Sequence, residues 1–154
     1  MFIRPKEDWV AALLVAFVVL MLTLACGTAR AEEYLIPIQT ILLEAQGESL
    51  DGQIAVAEVI RNRAIAGSRT HESVCKAPRQ FSAWNSPTEA FKRLKGASTG
   101  AFDRASKAWE ASETSNLTKG ATHYFNPSLA RPKWARGMVK TAVIGQHVFY
   151  KQRG

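Results

Sequence analysis

The stretch from Ile41 to Arg63, ILLEAQGESLDGQIAVAEVIRNR, limits the fold more than any other part of the chain. Ile41, Leu42 and Ala45 fit one face of a helix, and Ile54, Ala57, Ile60 and Ala64 fit one face of another. Gly47, a good C-terminal residue, separates them. The spacing predicts a first helix that starts near Pro37, a favoured first-turn residue, and stops near Gly47. Ser49 or Asp51 then caps a second helix from about Gly52 to Ala66, closed by Gly67. Arg61 and Arg63 fall in its last turns, where cations suit the helix dipole. Glu44 and Glu48 sit at the junction in apolar surroundings. Carboxyls so placed suit acid–base chemistry, although surface acids of an ordinary amphipathic helix follow the same pattern.

A chain of 154 residues holds one domain of ordinary size. Met1 to Ala31 has the marks of a leader: a basic start at Arg4 and Lys6, an apolar run from Trp9 to Ala25, and the small-x-small triplet Ala29-Arg30-Ala31. Residues 32–154 are then the folded domain. The apolar run also approaches bilayer-spanning length and fits a retained anchor. Leu24-Ala25-Cys26-Gly27 resembles a lipoprotein processing site, with Thr23 where an aliphatic residue is usual. Each reading has the N-terminal segment engage the membrane and places the domain outside the cytoplasm, in the periplasm or cell envelope. Three of 20 basic and two of 13 acidic residues lie in the leader, which leaves the domain near +6. Such a charge suits an anionic partner, a membrane surface or an acidic envelope polymer. Nucleic acid is excluded by location and by the lack of any binding motif. Beyond the leader Cys75 is alone, so no internal disulfide forms. The core must hold the fold, and about 120 residues can bury roughly two-thirds of their unfolded surface.

Further along, residues 68–86 are irregular. Pro78 and Pro87 bracket Gln80, Phe81, Ser82 and Trp84, which reads as a loop with exposed aromatics or as aromatics capping the core. Glu89 to Leu94 suggests a helical turn. Ser98 or Thr99 caps a helix from Gly100 to Glu113 with Ala101, Ala105, Ala108 and Trp109 inward. Gly120 to Pro127 is extended, and Thr141 to Tyr150 forms two strands turning at Gly145-Gln146. The expected class is mainly α (α+β) with a small C-terminal β-hairpin.

His71, His123 and His147 lack ligand spacing, so neither metal nor cofactor is expected. Cys75 with His123 or His147 as base and Asn126 as orienter would make a cysteine-type amidase or endopeptidase. Cys75 lacks a nucleophile context, however, and a lone thiol is more often buried and inert. Glycan cleavage instead needs a carboxylic acid and a cleft of aromatics and amides. Glu44 supplies the acid. Phe81, Trp84, Tyr124 and Trp134 offer rings, and Gln80, Asn85 and Asn126 offer amides.

Four ordered blocks then carry a resemblance: Glu44-Ala-Gln-Gly-Glu48 through Val59-Ile-Arg-Asn-Arg63, Gln80-Phe81-Ser82 with Trp84, Gly120-Ala-Thr-His-Tyr-Phe-Asn-Pro127, and Ile144 to Phe149. Together they resemble the SleB-like cell wall hydrolases, named for the spore cortex-lytic enzymes, over most of Ile36 to Tyr150. The resemblance implies a compact lysozyme-like helical domain, related to lytic transglycosylases and goose-type lysozymes. It implies cleavage of peptidoglycan between N-acetylmuramic acid and N-acetylglucosamine, without cofactor, by a monomer. Glu44 matches the single essential acid, and Gln80, Phe81, Ser82, Trp84, Tyr124 and Asn126 are expected in the substrate cleft. Glu48 would join the catalytic site if the helix ran through Gly47, its Cβ then about 5–6 Å from that of Glu44. Otherwise it is structural. Unlike the spore enzymes, this sequence shows no peptidoglycan-binding domain between leader and first block, so a remodelling or lysis enzyme is the better fit. A non-catalytic wall-binding module is the remaining rival.

Overall fold

The computed structural model describes the backbone of residues 8–154 and the side chains of residues 12–21 and 34–154. The chain divides into two compact units, residues 1–33 and 34–154. In the first, the described apolar side chains, Leu13 to Met21 among them, are exposed. No helix among the described residues is long and apolar enough to cross a membrane. The expected cleavage after Ala31 and the alternative modification at Cys26 fall where the side chains lie outside the described residues.

The helices are α1 (Asp8–Ala45), α2 (Leu50–Gly67), α3 (His71–Lys76), α4 (Pro87–Lys95) and α5 (Thr99–Ala111). The strands are β1 (His123–Phe125), β2 (Val139–Ile144) and β3 (His147–Lys151). Pro37 lies inside α1 rather than opening it. Its ring is fully buried, and helix-forming residues precede it without a break. Ser49 caps α2 by accepting from the Gly52 amide, and Ser98 caps α5 by accepting from the Ala101 amide. The segment expected to be irregular contains α3, with Thr70 as its cap and a Glu72–Lys76 ion pair at 2.7 Å, and a 3-10 turn over Ser82–Asn85.

α2 is the axis of the domain. Every residue from Gly52 to Ile60 is buried, where the sequence pattern marked a single face. One side of α2 packs Ile54, Val56, Ala57 and Ile60 against Ile41, Leu42, Val74, Cys75, Phe81, Ala108 and Trp109. Its other side packs Ala55 and Val59 against Ala121 and Phe149 beneath the sheet. The sheet is antiparallel in the order β1-β3-β2, so the expected hairpin of β2 and β3 gains a third strand from the extended segment.

Arg61, Asn62 and Arg63 do not merely face the helix dipole. Arg61 donates to Ser112 Oγ at 2.7 Å and the Trp109 carbonyl at 3.0 Å, and its guanidinium lies 3.9 Å from the Trp109 ring centre. Asn62 donates to the Ala121 carbonyl at 2.8 Å. Arg63 donates to the Thr122 carbonyl at 2.6 Å and the Gln80 carbonyl at 3.2 Å. Three consecutive side chains thus fix three distant segments around α2.

Candidate active site

Glu44 lies in the last turn of α1, which ends at Ala45, and its side chain is half-buried. Arg93 of α4 donates to the Leu43 carbonyl, a cation suited to this helix C-terminus. The Glu44 carboxylate has three partners. Oε1 accepts from the Ala83 amide at 2.9 Å and from Ser82 Oγ at 3.2 Å. Oε2 accepts from the Tyr124 hydroxyl at 3.2 Å. The first two come from the 3-10 turn and the third from β1, so segments 38–80 residues away converge on one carboxylate. Burial and the neighbouring Glu44 push the Tyr124 phenol well above its ordinary pKa, so it stays a hydroxyl. As a hydroxyl it can donate to an ionised Oε2 or accept from a protonated one.

Glu48 takes a different path. The helix has already ended, and the Glu48 side chain turns onto the β2–β3 turn. Oε2 accepts from the Gln146 amide at 3.3 Å, and Oε1 lies 3.6 Å from His147 Nδ1. Two glycines make the space. A Cβ at Gly145, whose φ is +55°, would meet Glu48 Oε2 at 1.9 Å, and one at Gly52 would meet Glu48 Cβ at 2.7 Å. His147 packs edge-on to Tyr124, 5.0 Å between centres, and so connects the two glutamates' surroundings. Burial lowers the His147 pKa, opposed by Glu48 and then Glu44.

The other expected site residues separate into groups. Ser82 and Tyr124 touch Glu44 directly. Trp84 stands beside them, half-buried, its indole N–H donating to Thr40 Oγ1 at 2.9 Å. Asn126 is spent on local structure, donating to Gln146 Oε1 at 3.2 Å and accepting from the Ser128 amide at 2.9 Å. Phe81 is only 2% exposed, with the Arg63 guanidinium 4.9 Å from its ring centre; it belongs to the core and offers no sugar-stacking face. Gln80 is exposed, its carbonyl held by Arg63 and its side chain lining a neighbouring cleft. Trp134 packs against His123, Phe125 and Tyr150, on the sheet face opposite to Tyr124.

Sequence reasoning missed the Ala83 amide, because every non-proline residue carries that donor. It also missed Thr40, a buried hydroxyl that positions Trp84 and hydrogen-bonds Cys75. The Cys75 thiol is fully buried, and burial pushes its pKa up to about 11, so it is neither reachable nor ionised at neutral pH. That removes the basis for a cysteine nucleophile. The three histidines are packing partners in separate places: His71 against Trp109, His123 against Trp134, and His147 against Tyr124.

The profile of the cell wall hydrolase family matches residues 47–150. A spore cortex-lytic enzyme of Bacillus cereus is 34% identical over 116 residues, 70% of this chain and 40% of that protein. One from Bacillus subtilis is 30% identical over 119 residues, 72% of this chain and 35% of that protein. The chain therefore spans less than half the length of these relatives. Among solved structures, the catalytic domain of the Bacillus cereus SleB protein superposes with a TM-score of 0.61 and 30% identity, covering 77% of this chain and 89% of that one. The catalytic domain of the germination-specific lytic transglycosylase SleB from Bacillus anthracis gives 0.63 and 29% identity, covering 77% and 93%. The chain belongs to the cell wall hydrolase family. The profile begins at Gly47, so Glu44 precedes the matched segment.

Proposed function

We propose that this domain is an exported lytic transglycosylase that cleaves peptidoglycan between N-acetylmuramic acid and N-acetylglucosamine, with Glu44 as its acid and base. The observation that carries this reading is the asymmetry of the Glu44 carboxylate. Oε1 is fixed by a backbone amide, while Oε2 faces only the hydroxyl of Tyr124. Oε2 can therefore hold a proton, give it up and take one back without breaking a bond to the backbone. Protonated Glu44 gives its proton to the glycosidic oxygen as the bond to the muramyl C1 breaks. The carboxylate then takes the proton of the muramyl 6-hydroxyl, whose oxygen closes on C1. A 1,6-anhydro sugar results, no water is consumed, and Glu44 ends protonated as it began.

One carboxylate suffices for this route, whereas a hydrolase of the usual kind needs a second flanking the scissile bond. The placement of Glu48 supports the single-acid reading, since its oxygens serve the Gly145-Gln146 turn and His147. The leader fits export, and the near +6 charge of residues 32–154 fits approach to an anionic wall. Mass spectrometry of purified peptidoglycan digested with the wild type and with Glu44→Gln tests the proposal. Anhydromuropeptides from the wild type alone are expected. Reducing ends would make the enzyme a muramidase, and released peptides with intact glycan would overturn the glycosidase reading.

A further inference from the structure

Arg63 also lines a second cleft, of about 520 Å³, together with Arg69, Gln80, Thr122, His123 and Lys151. That size lies within the range of ligand sites, roughly 300–1,000 Å³. Its lining contains no Asp or Glu. Its cations are Arg63, Arg69 and Lys151. Beyond Glu113 the chain has seven Lys or Arg and no acid, while residues 32–113 carry ten basic and eleven acidic residues. The positive excess lies in the part of the chain that forms the sheet and supplies Lys151 to the cleft, and a concave surface lined by cations concentrates their field.

The cleft shares two segments with Glu44. Arg63 holds the Gln80 and Thr122 carbonyls, and the same two segments continue to Ala83 and Tyr124, which hold Glu44. His123 and Tyr124 are neighbours on β1 and point to opposite faces, one into each site. Thr122 Oγ1, 2.9 Å from Nδ1, and the Trp134 ring, 5.2 Å between centres, hold His123 in place.

We propose that this cleft binds the carboxylates of the peptide stem carried by the muramyl sugar. The inference rests on the reading of the domain as a peptidoglycan glycosidase. A glycan strand cut at Glu44 carries its stem on the reacting sugar. A stem of four extended residues reaches about 13 Å, more than twice the roughly 4.8 Å between neighbouring strands. Guanidinium and ammonium groups are the natural partners of its carboxylates. Phosphate polymers of the envelope bear similar charge but are not tethered to the sugar being cut, which favours the stem.

The test compares rates on intact peptidoglycan with rates on glycan strands stripped of peptide. Lys151→Glu should lower the preference for intact substrate on the order of tenfold, the worth of one good charged contact. Lys107→Glu, an equal charge change on the exposed face of α5, should leave that preference as it was. Equal changes in both variants, or none in either, would overturn the proposal. Free stem tetrapeptide should compete in the wild type and less in Lys151→Glu. Inorganic phosphate competing as well as the peptide would instead assign a general anion site. If the wild type cuts neither substrate, the glycosidase reading fails, and titration of the tetrapeptide followed by NMR decides the cleft alone. Saturable binding weakened by Lys151→Glu upholds it, and no binding overturns it.

Discussion

Glu44 and Glu58 are both glutamates of the helical framework, and their surroundings differ in one decisive way. Glu58, on α2, is 3% exposed and accepts four hydrogen bonds: Ser115 Oγ at 2.6 Å and the Leu117 amide at 2.7 Å on Oε1, the Thr118 amide at 2.8 Å and Thr118 Oγ1 at 2.6 Å on Oε2. Four donors fill the acceptor sites of a carboxylate, and each oxygen is tied to a backbone amide. Glu58 thus pins the 115–118 loop and has nothing left for a substrate. Glu44 is less buried, has three donors, and leaves one oxygen facing only a hydroxyl. Burial alone would single out Glu58. The supply of donors separates the structural acid from the one proposed to react.

The comparison breaks first at Glu44 itself. Glu44→Gln should lower kcat on the order of 10²- to 10⁴-fold, the usual worth of a general acid, while thermal melting moves by no more than a few degrees. A variant that kept wild-type turnover would end the assignment. Glu58→Gln should do the reverse. An amide group turned toward donors leaves at least one unpaired in the interior, at a cost of about 2–4 kcal/mol in a denaturant titration, with specific activity of the folded protein retained. Tyr124→Phe keeps the ring against Phe149 but leaves Oε2 without its hydroxyl. Its kcat/KM should fall about tenfold, or about 1.4 kcal/mol of transition-state stabilisation. An unchanged value would mean that Oε2 does not handle the proton.

The smallest effect is a dependence of stability on pH. Burial holds the pKa values of His147 and His123 below the ordinary 6.5. As pH falls below that value the unfolded chain takes up protons first, so the fold loses stability; above it these histidines contribute no slope. Melting temperatures at pH 7 and pH 5 should differ in that direction, and His147→Gln should reduce the difference. A slope that the variant leaves untouched would place the acid sensitivity elsewhere.

Local chemistry made part of this visible in the sequence. The break at Gly47, the serine caps at Ser49 and Ser98, and the turn at Gly145-Gln146 depend on residues whose backbone preferences are strong. α3 was hidden because six residues are too few to show a period. Phe81 was expected in the cleft because an aromatic between prolines and polar residues carries no sign of which way it points; here it joins the core cluster that also holds Cys75. For the site, the acid and Tyr124 could be picked out by residue type. The Ala83 amide could not, and the separation of Glu44 from Glu48 required the path of the chain after α1. Arg61 and Arg63 read as helix-end cations because their partners lie 17–59 residues away, beyond any local pattern.

The pairing of β1 has a consequence for the order in which the enzyme comes into being. β1 carries Tyr124 to Glu44, and its neighbour in the sheet among the described residues is β3, residues 147–151. A chain made N-terminus first presents Glu44 and Ser82 long before that strand. The carboxylate then waits for its third partner until the far end of the domain has been made. Under the role proposed for Glu44, the site would be complete only once the last strand of the sheet has docked.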